Sequence, residues 1–120
     1  MGSRTQLADR SILVVEDEPA IALGIKELLE AEGASVHLAP TPSAALKIAD
    51  EVVLSAAILD FGSDCDPMRP LCRTLHAYGI PFMYYTGHDD IGESATGVPV
   101  LTKPATGPQL MSTLDRLIRA

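Results

Sequence analysis

Apolar residues in this chain fall into short unbroken runs that alternate with stripes at helical spacing. Ser11-Ile12-Leu13-Val14-Val15 is a brief, β-branched run, the pattern of a strand covered on both faces. From Pro19 to Glu32 the spacing turns helical: Ile21, Ile25, Leu28 and Leu29 share a face, with Lys26, Glu27 and Glu30 opposite. Pro19 suits a first helical turn, and Gly33 suits the stop. Ala34 to Leu38 predicts a weaker strand. Thr41-Pro42 reads as an N-cap followed by proline at the first helical position, opening a helix that carries Ala45, Leu46, Ile48 and Ala49. Ser55 to Leu59 predicts a third strand running into Asp60. Asp66-Pro67 opens another helix, with Met68, Leu71, Cys72 and Leu75 on one side and Gly79 at its end. Pro81 to Tyr85 and Val98 to Thr102 predict two more strands. Gln109 to Arg119 predicts a last amphipathic helix through Leu110, Leu114, Leu117 and Ile118.

Strands and helices that alternate in this way build a parallel sheet with helices on both faces. The expected fold is therefore α/β and doubly wound, with five parallel strands in the flavodoxin-like order 2-1-3-4-5. Ligands of such sheets bind outside the carboxyl ends of the strands.

Composition narrows the partners. The 120 residues suffice for one domain, expected over residues 11–120, with residues 1–10 a polar N-terminal extension or cloning remnant. Nine basic residues against 16 acidic ones leave a net charge of −7, which speaks against nucleic acid and anionic membrane as direct partners. There is no secretory h-region and no membrane-spanning run. Cys65 and Cys72, seven apart, form neither a metal pair nor a redox motif. Reduced thiols and a cytoplasmic location are expected.

The predicted strand ends carry the chemistry. Strand one runs into Glu16-Asp17-Glu18, strand three into Asp60, strand four into Thr86-Gly87 and strand five into Lys103-Pro104. Strands one, three and four are neighbours in the expected order, so Glu16, Asp17 and Asp60 converge on one edge. Anions that close repel unless one takes a proton or a cation joins them. Oxygen ligands with room for water suit Mg²⁺, and Lys103 supplies a counter-charge for an anionic group bridged by that metal. A dinucleotide fingerprint is missing after strand one, and there is no Walker A sequence. A haloacid-dehalogenase phosphatase needs a second aspartate where Gly62 stands.

Four segments in order, Val-Val-Glu16-Asp17-Glu-Pro, Ile-Leu-Asp60, Tyr-Tyr-Thr86-Gly and Leu-Thr-Lys103-Pro, resemble the receiver domain of two-component response regulators (CheY-like) over nearly the whole chain. Gly79-Ile-Pro-Phe-Met-Tyr-Tyr-Thr-Gly-His, followed by Val98-Pro-Val-Leu-Thr-Lys-Pro, looks more particularly like the FATGUY subfamily of single-domain receivers. The resemblance implies that Asp60 accepts a phosphoryl group from a histidine kinase, and that Thr86 and Lys103 hold the transferred oxygens. It implies that Glu16, Asp17, Asp60 and the backbone carbonyl of Gly62 hold Mg²⁺. Such a domain is not an enzyme in the usual sense; it catalyses only its own phosphorylation and dephosphorylation. It also implies a cis Lys103–Pro104 bond and signalling by protein–protein contact with a downstream partner, as a monomer or weak homodimer.

Three departures bear on that reading. Val100 stands where many receivers carry a switching aromatic; Tyr84 and Tyr85 read as strand residues facing a helix, the alternative being that one of them serves in the place of that aromatic. The stretch from Gly87 to Val98, punctuated by Gly87, Gly92 and Gly97, has no apolar stripe, so the fourth receiver helix is expected to be short or irregular. His88 falls close to the mouth of the site, whereas His37 and His76 read as strand-edge and helix-surface residues. The rival readings are a phosphorylation-independent interaction domain on the same scaffold and a receiver excised from a hybrid kinase.

Overall fold

A computed structural model describes residues 7–60, 68–86, 98–102 and 105–119 of the chain. Five parallel strands form one sheet: β1 (Ser11–Val15), β2 (Ser35–Ala39), β3 (Ala56–Asp60), β4 (Phe82–Thr86) and β5 (Val100–Thr102), ordered β2-β1-β3-β4-β5. Among the described residues four helices cover it: α1 (Pro19–Ala31), α2 (Pro42–Glu51), α3 (Arg69–Ala77) and α4 (Gly107–Arg119). This is the flavodoxin/CheY-like arrangement expected from the alternating pattern. The expected irregular fourth helix lies outside the described residues.

The register explains why β1 and β3 are so apolar. Val15 sits opposite Leu59, and Ala39 opposite Val15, so β1 is enclosed by strands on both sides. Successive side chains of a strand point to opposite faces, and each face meets its own helices. Leu13, Val15, Ala57 and Leu59 join the α2 and α3 residues Ala45, Ala49, Leu71 and Leu75 in one core. Ile12, Val14, Ala56 and Ile58 join Ile25 and Leu29 of α1 and Leu110 and Leu114 of α4 in the other. From Ile12 to Val15 and from Ala56 to Leu59 every side chain is buried, and polar residues follow only at the carboxyl ends, Glu16 just past β1 and Asp60 as the last residue of β3.

On α1 the buried stripe is Ala22, Ile25 and Leu29. Ile21 and Leu28, expected on that face, are exposed together with Leu23. Leu28 instead flanks α4: a Cβ added at Gly107 would lie 3.1 Å from its Cδ2. Strand boundaries also shift by a residue or more: β2, β3 and β4 each begin one residue later than expected, and β5 begins at Val100. In α3 the proline of the first turn is Pro70, after Met68 at the N-cap; Asp66 and Pro67 lie outside the described residues.

Helix α4 begins two residues earlier than its apolar stripe suggests, because Thr106 and Gln109 cap it reciprocally. The Thr106 N–H donates to Gln109 Oε1 (2.8 Å), and the Gln109 N–H donates to Thr106 Oγ1 (3.2 Å). Thr41 caps α2 as expected, its Oγ1 accepting the Ala44 N–H at 3.1 Å.

Both predicted glycine stops are observed, and they are alike. Gly33 has φ 96° and Gly79 φ 73°. The Gly33 and Ala34 N–H groups donate to the carbonyls of Glu30 and Leu29; those of Gly79 and Ile80 donate to His76 and Leu75. Each pair is a Schellman motif, in which two otherwise orphaned helix carbonyls are satisfied by a left-handed residue. A Cβ at Gly79 would meet nothing within 4 Å. Gly79→Ala is therefore expected to lower unfolding free energy by about 1–2 kcal/mol, the cost of left-handed backbone alone. Urea titration checks this, and an unchanged midpoint would mean the turn relaxes.

The core also begins before β1. Leu7 is 1% exposed and belongs to the α1/α4 core. Its N–H donates to the Glu32 carbonyl (2.9 Å), and its carbonyl accepts the Arg10 N–H (3.0 Å).

Candidate functional site at the carboxyl edge of the sheet

Glu16 and Asp60 follow the last apolar residues of adjacent strands. Because Val15 pairs with Leu59, the next residue of each strand, Glu16 just past β1 and Asp60 at the end of β3, stands beside the other. Both are buried, Glu16 at 5% and Asp60 at 7% exposure. Two carboxyl groups removed from water side by side are costly as anions unless a positive charge or hydrogen-bond donors face them. The Glu16 N–H donates to the Ala39 carbonyl (3.0 Å), extending the β1 ladder one residue past the strand. Its Oε2 accepts the Glu18 N–H at 2.9 Å. Glu18 is the N-cap of α1 and has no side-chain capping bond of its own, so Glu16 also braces the turn into that helix. The other oxygen, Oε1, and Asp60 Oδ2 are buried atoms that accept no hydrogen bond among the described residues, while both residues have further partners.

The remaining expected site residues divide. Asp17 is exposed on the β1–α1 turn. Among the described residues no group of three His, Cys, Asp or Glu that could hold a metal ion is present; Glu16 and Asp60 stand at adjacent strand ends, and Asp17 follows Glu16 on the turn. Thr86 is the last residue of β4, one beyond Tyr85, which pairs with Asp60. Thr102 ends β5 opposite Thr86. Lys103, Pro104, Gly62, Gly87, His88 and Cys65 lie outside the described residues.

Among the described residues the candidate ligands at this edge are oxygens, two of them buried carboxyl groups with an exposed third, Asp17, next to Glu16 in the chain. That set fits a hard divalent cation that keeps part of its water shell, which is the preference of Mg²⁺. It suits neither Zn²⁺ nor copper, which want imidazole or thiolate.

The tyrosines of β4 face helices, as expected. The Tyr84 ring lies 6.0 Å from that of Phe82 at 59°, and its hydroxyl meets Cys72 Sγ on α3 at 3.6 Å. Its register partner across the sheet is Val100, so the side of β5 that lacks an aromatic has one on the neighbouring strand. Spacing in the sequence held that signal only jointly with the register, which is a tertiary property. Tyr85 packs instead toward α1 and α4. His37 is half-buried on the edge strand β2, and His76 is exposed on α3.

No family model matches the chain, and no curated protein matches it. Solved structures do. The chain is 28% identical to the receiver domain of the hybrid histidine kinase CckA, covering 90% of this chain and 98% of that one with a TM-score of 0.74. It is 25% identical to the receiver domain of a sensor histidine kinase from Pseudomonas aeruginosa PAO1, which has a magnesium ion coordinated in its active site cleft; the match covers 94% of this chain and 100% of that one, with a TM-score of 0.78. A CheY-like response regulator receiver domain protein from Methanospirillum hungatei JF-1 is similar at 23% identity, with 92% and 94% covered and a TM-score of 0.79. The structural neighbours of this chain are thus CheY-like receiver domains, and it shares their five-stranded, doubly wound fold.

Proposed function

We propose that this chain is a single-domain response regulator that accepts a phosphoryl group on Asp60 from a histidine kinase. The observation that carries the reading is the buried Asp60 at the end of the central strand β3, beside the buried Glu16. In the proposed transfer an Asp60 carboxylate oxygen attacks the phosphorus of a phosphohistidine. A P–O bond forms as the P–N bond breaks, and the imidazole leaves with the bonding pair and takes up a proton. Later attack by water returns the carboxylate and releases inorganic phosphate. Phosphoryl transfer of this kind asks a protein mainly for positioning and charge neutralisation.

Each residue has a role in this proposal. Glu16, Asp17, Asp60 and the Gly62 carbonyl would hold Mg²⁺, whose charge offsets that of the phosphoryl oxygens. Thr86 donates a hydrogen bond to one of those oxygens, and Lys103 pairs with another. Gly62 leaves room for the attacking water, and His88 tunes that step through its charge near neutral pH. The similarity to a magnesium-bound receiver supports the metal assignment, and the similarity to kinase receivers supports a histidine kinase as partner. Among the described residues no helix is long and apolar enough to cross a membrane. We place the domain in the cytoplasm as a monomer or weak homodimer, within the FATGUY type suggested by its β4 and β5 sequences, signalling through a downstream protein.

A second reading, a phosphorylation-independent interaction scaffold, draws on Val100 and on the turn-bracing bond of Glu16. A third, a receiver detached from a hybrid kinase, draws on the similarity to CckA. Intact mass after incubation with Mg²⁺ and a small-molecule phosphodonor, and then with candidate kinases, separates the first two. One added phosphoryl group, absent in Asp60→Asn and without Mg²⁺, is the expected result. No addition from donor or kinases, together with no Mg²⁺ binding, would leave the scaffold reading.

A further inference from the structure

The opposite, amino-terminal edge of the sheet holds a cleft that phosphoryl chemistry does not use. It has a volume of about 270 Å³ and is lined by the end of α2, the α2–β3 connection and the end of α3. Three observations concern it. First, Val53 is 93% exposed and Tyr78 53% exposed, while Leu54, Ile80 and Ala49 form a buried apolar floor. An aliphatic side chain standing almost wholly in water at the rim of a concave apolar floor marks a surface that gains from being covered. Second, the ionisable side chains lining the cleft are Asp50, Glu51 and Tyr78, with no cation among them. Helices α2 and α3 also both end there, at Glu51 and Ala77, and a helix carboxyl end carries partial negative charge. Third, the Tyr78 hydroxyl donates to Asp50 Oδ1 at 2.5 Å, which ties the end of α3 to the end of α2 and fixes that carboxylate beside the exposed ring. That hydrogen bond and the charge of Asp50 hold the Tyr78 phenol above its usual range.

We propose that this cleft is a docking site for a partner-protein segment that presents an aliphatic side chain next to an arginine or lysine. The aliphatic group covers Val53 and enters the floor over Leu54 and Ile80. The cation meets Asp50 and Glu51, with the face of Tyr78 available to a guanidinium. Charge selects this occupant over a second copy of the chain, because two acidic rims on molecules of net charge −7 repel. The site stands apart from Asp60 and is independent of the phosphoacceptor reading.

The test is a two-dimensional ¹⁵N NMR titration of the full chain with the capped tripeptide Leu-Arg-Leu, run beside capped Leu-Glu-Leu and Ala-Arg-Ala. The expected result is saturable shifts centred on Asp50, Val53 and Tyr78 with Leu-Arg-Leu, and weaker ones with both controls. Val53→Ser and Asp50→Asn, each with an otherwise unchanged spectrum, are expected to weaken binding about tenfold and severalfold respectively, from the lost apolar burial and the lost charge. Shifts centred elsewhere, an equal response to Leu-Glu-Leu, or binding unaffected by both substitutions would overturn the proposal. So would sedimentation showing a homodimer that Val53→Ser dissociates, since the occupant would then be a second copy.

Discussion

Magnesium at one hundred times its dissociation constant is expected to stabilise the wild-type chain by about 2.7 kcal/mol, and Asp60→Asn is expected to lose most of that gain. A ligand that binds only the folded state stabilises it by mass action. For a domain of this size 2.7 kcal/mol is a rise in Tm of about 10 °C, large enough to read in a simple melting series. The argument for where the ion goes is electrostatic: Asp60 and Glu16 are both buried at adjacent strand ends, and a divalent cation offsets two charges that otherwise oppose each other. Replacing one carboxylate by an amide removes a charged ligand while keeping shape and most hydrogen bonding. Because this measurement needs no phosphodonor and no kinase, it separates metal binding from phosphorylation. An Asp60→Asn variant with an undiminished magnesium-dependent rise would put the metal elsewhere.

Truncating the core beside the site should cost more than any surface change. Leu59→Ala is expected to lower unfolding free energy by about 2–5 kcal/mol, from lost burial plus the residual cavity. Leu59 is 0% exposed, pairs with Val15 and packs toward α2 and α3, an interface with little room to collapse because Ala45 and Ala49 already hold α2 close to the sheet. Leu23→Ala makes the matched comparison, since Leu23 is 50% exposed and substitutions of that kind fall within about 0.5 kcal/mol. Urea denaturation should show the midpoint falling for Leu59→Ala with the slope unchanged. Equal effects of the two substitutions would contradict the assignment of Leu59 to the core.

Much of this was legible before any coordinates, and the failures have physical causes. Strands β1 and β3 could be read because both faces are covered, which leaves an uninterrupted apolar run with a polar residue only at its exit. That is also why Glu16 and Asp60 could be found. Glycines 33 and 79 were readable because a left-handed terminus favours that residue over all others. Helix α1 is legible, and so are Ile25 and Leu29 on its buried face; Ile21 and Leu28 are not on that face because α1 carries two adjoining apolar stripes and hydropathy favours the larger side chains. The sheet takes the stripe containing Ala22, whose small size lets the helix approach. The start of α4 is not legible in the apolar spacing because its first turn is specified by the Thr106–Gln109 hydrogen bonds. Leu7 is not legible because it stands with only Ala8 in a polar stretch, with no period to reveal it. At the candidate site, two of three expected carboxylates are buried at adjacent strand ends; the turn that carries Asp17 leaves it in solvent. Lys103 and Gly62 follow their strands outside the described residues, so their roles rest on the sequence and on the proposal.

Leu7 bears on where this domain can be cut. A fragment opened at Ser11 would keep every strand and helix among the described residues, and by the usual criterion of secondary structure it would be whole. It would nonetheless be missing a leucine from the core beneath α1 and the amide that bonds the Glu32 carbonyl at that helix's end. In energetic terms such a fragment is a large-to-small core variant with a loosened helix end, not a trimmed form of the same protein.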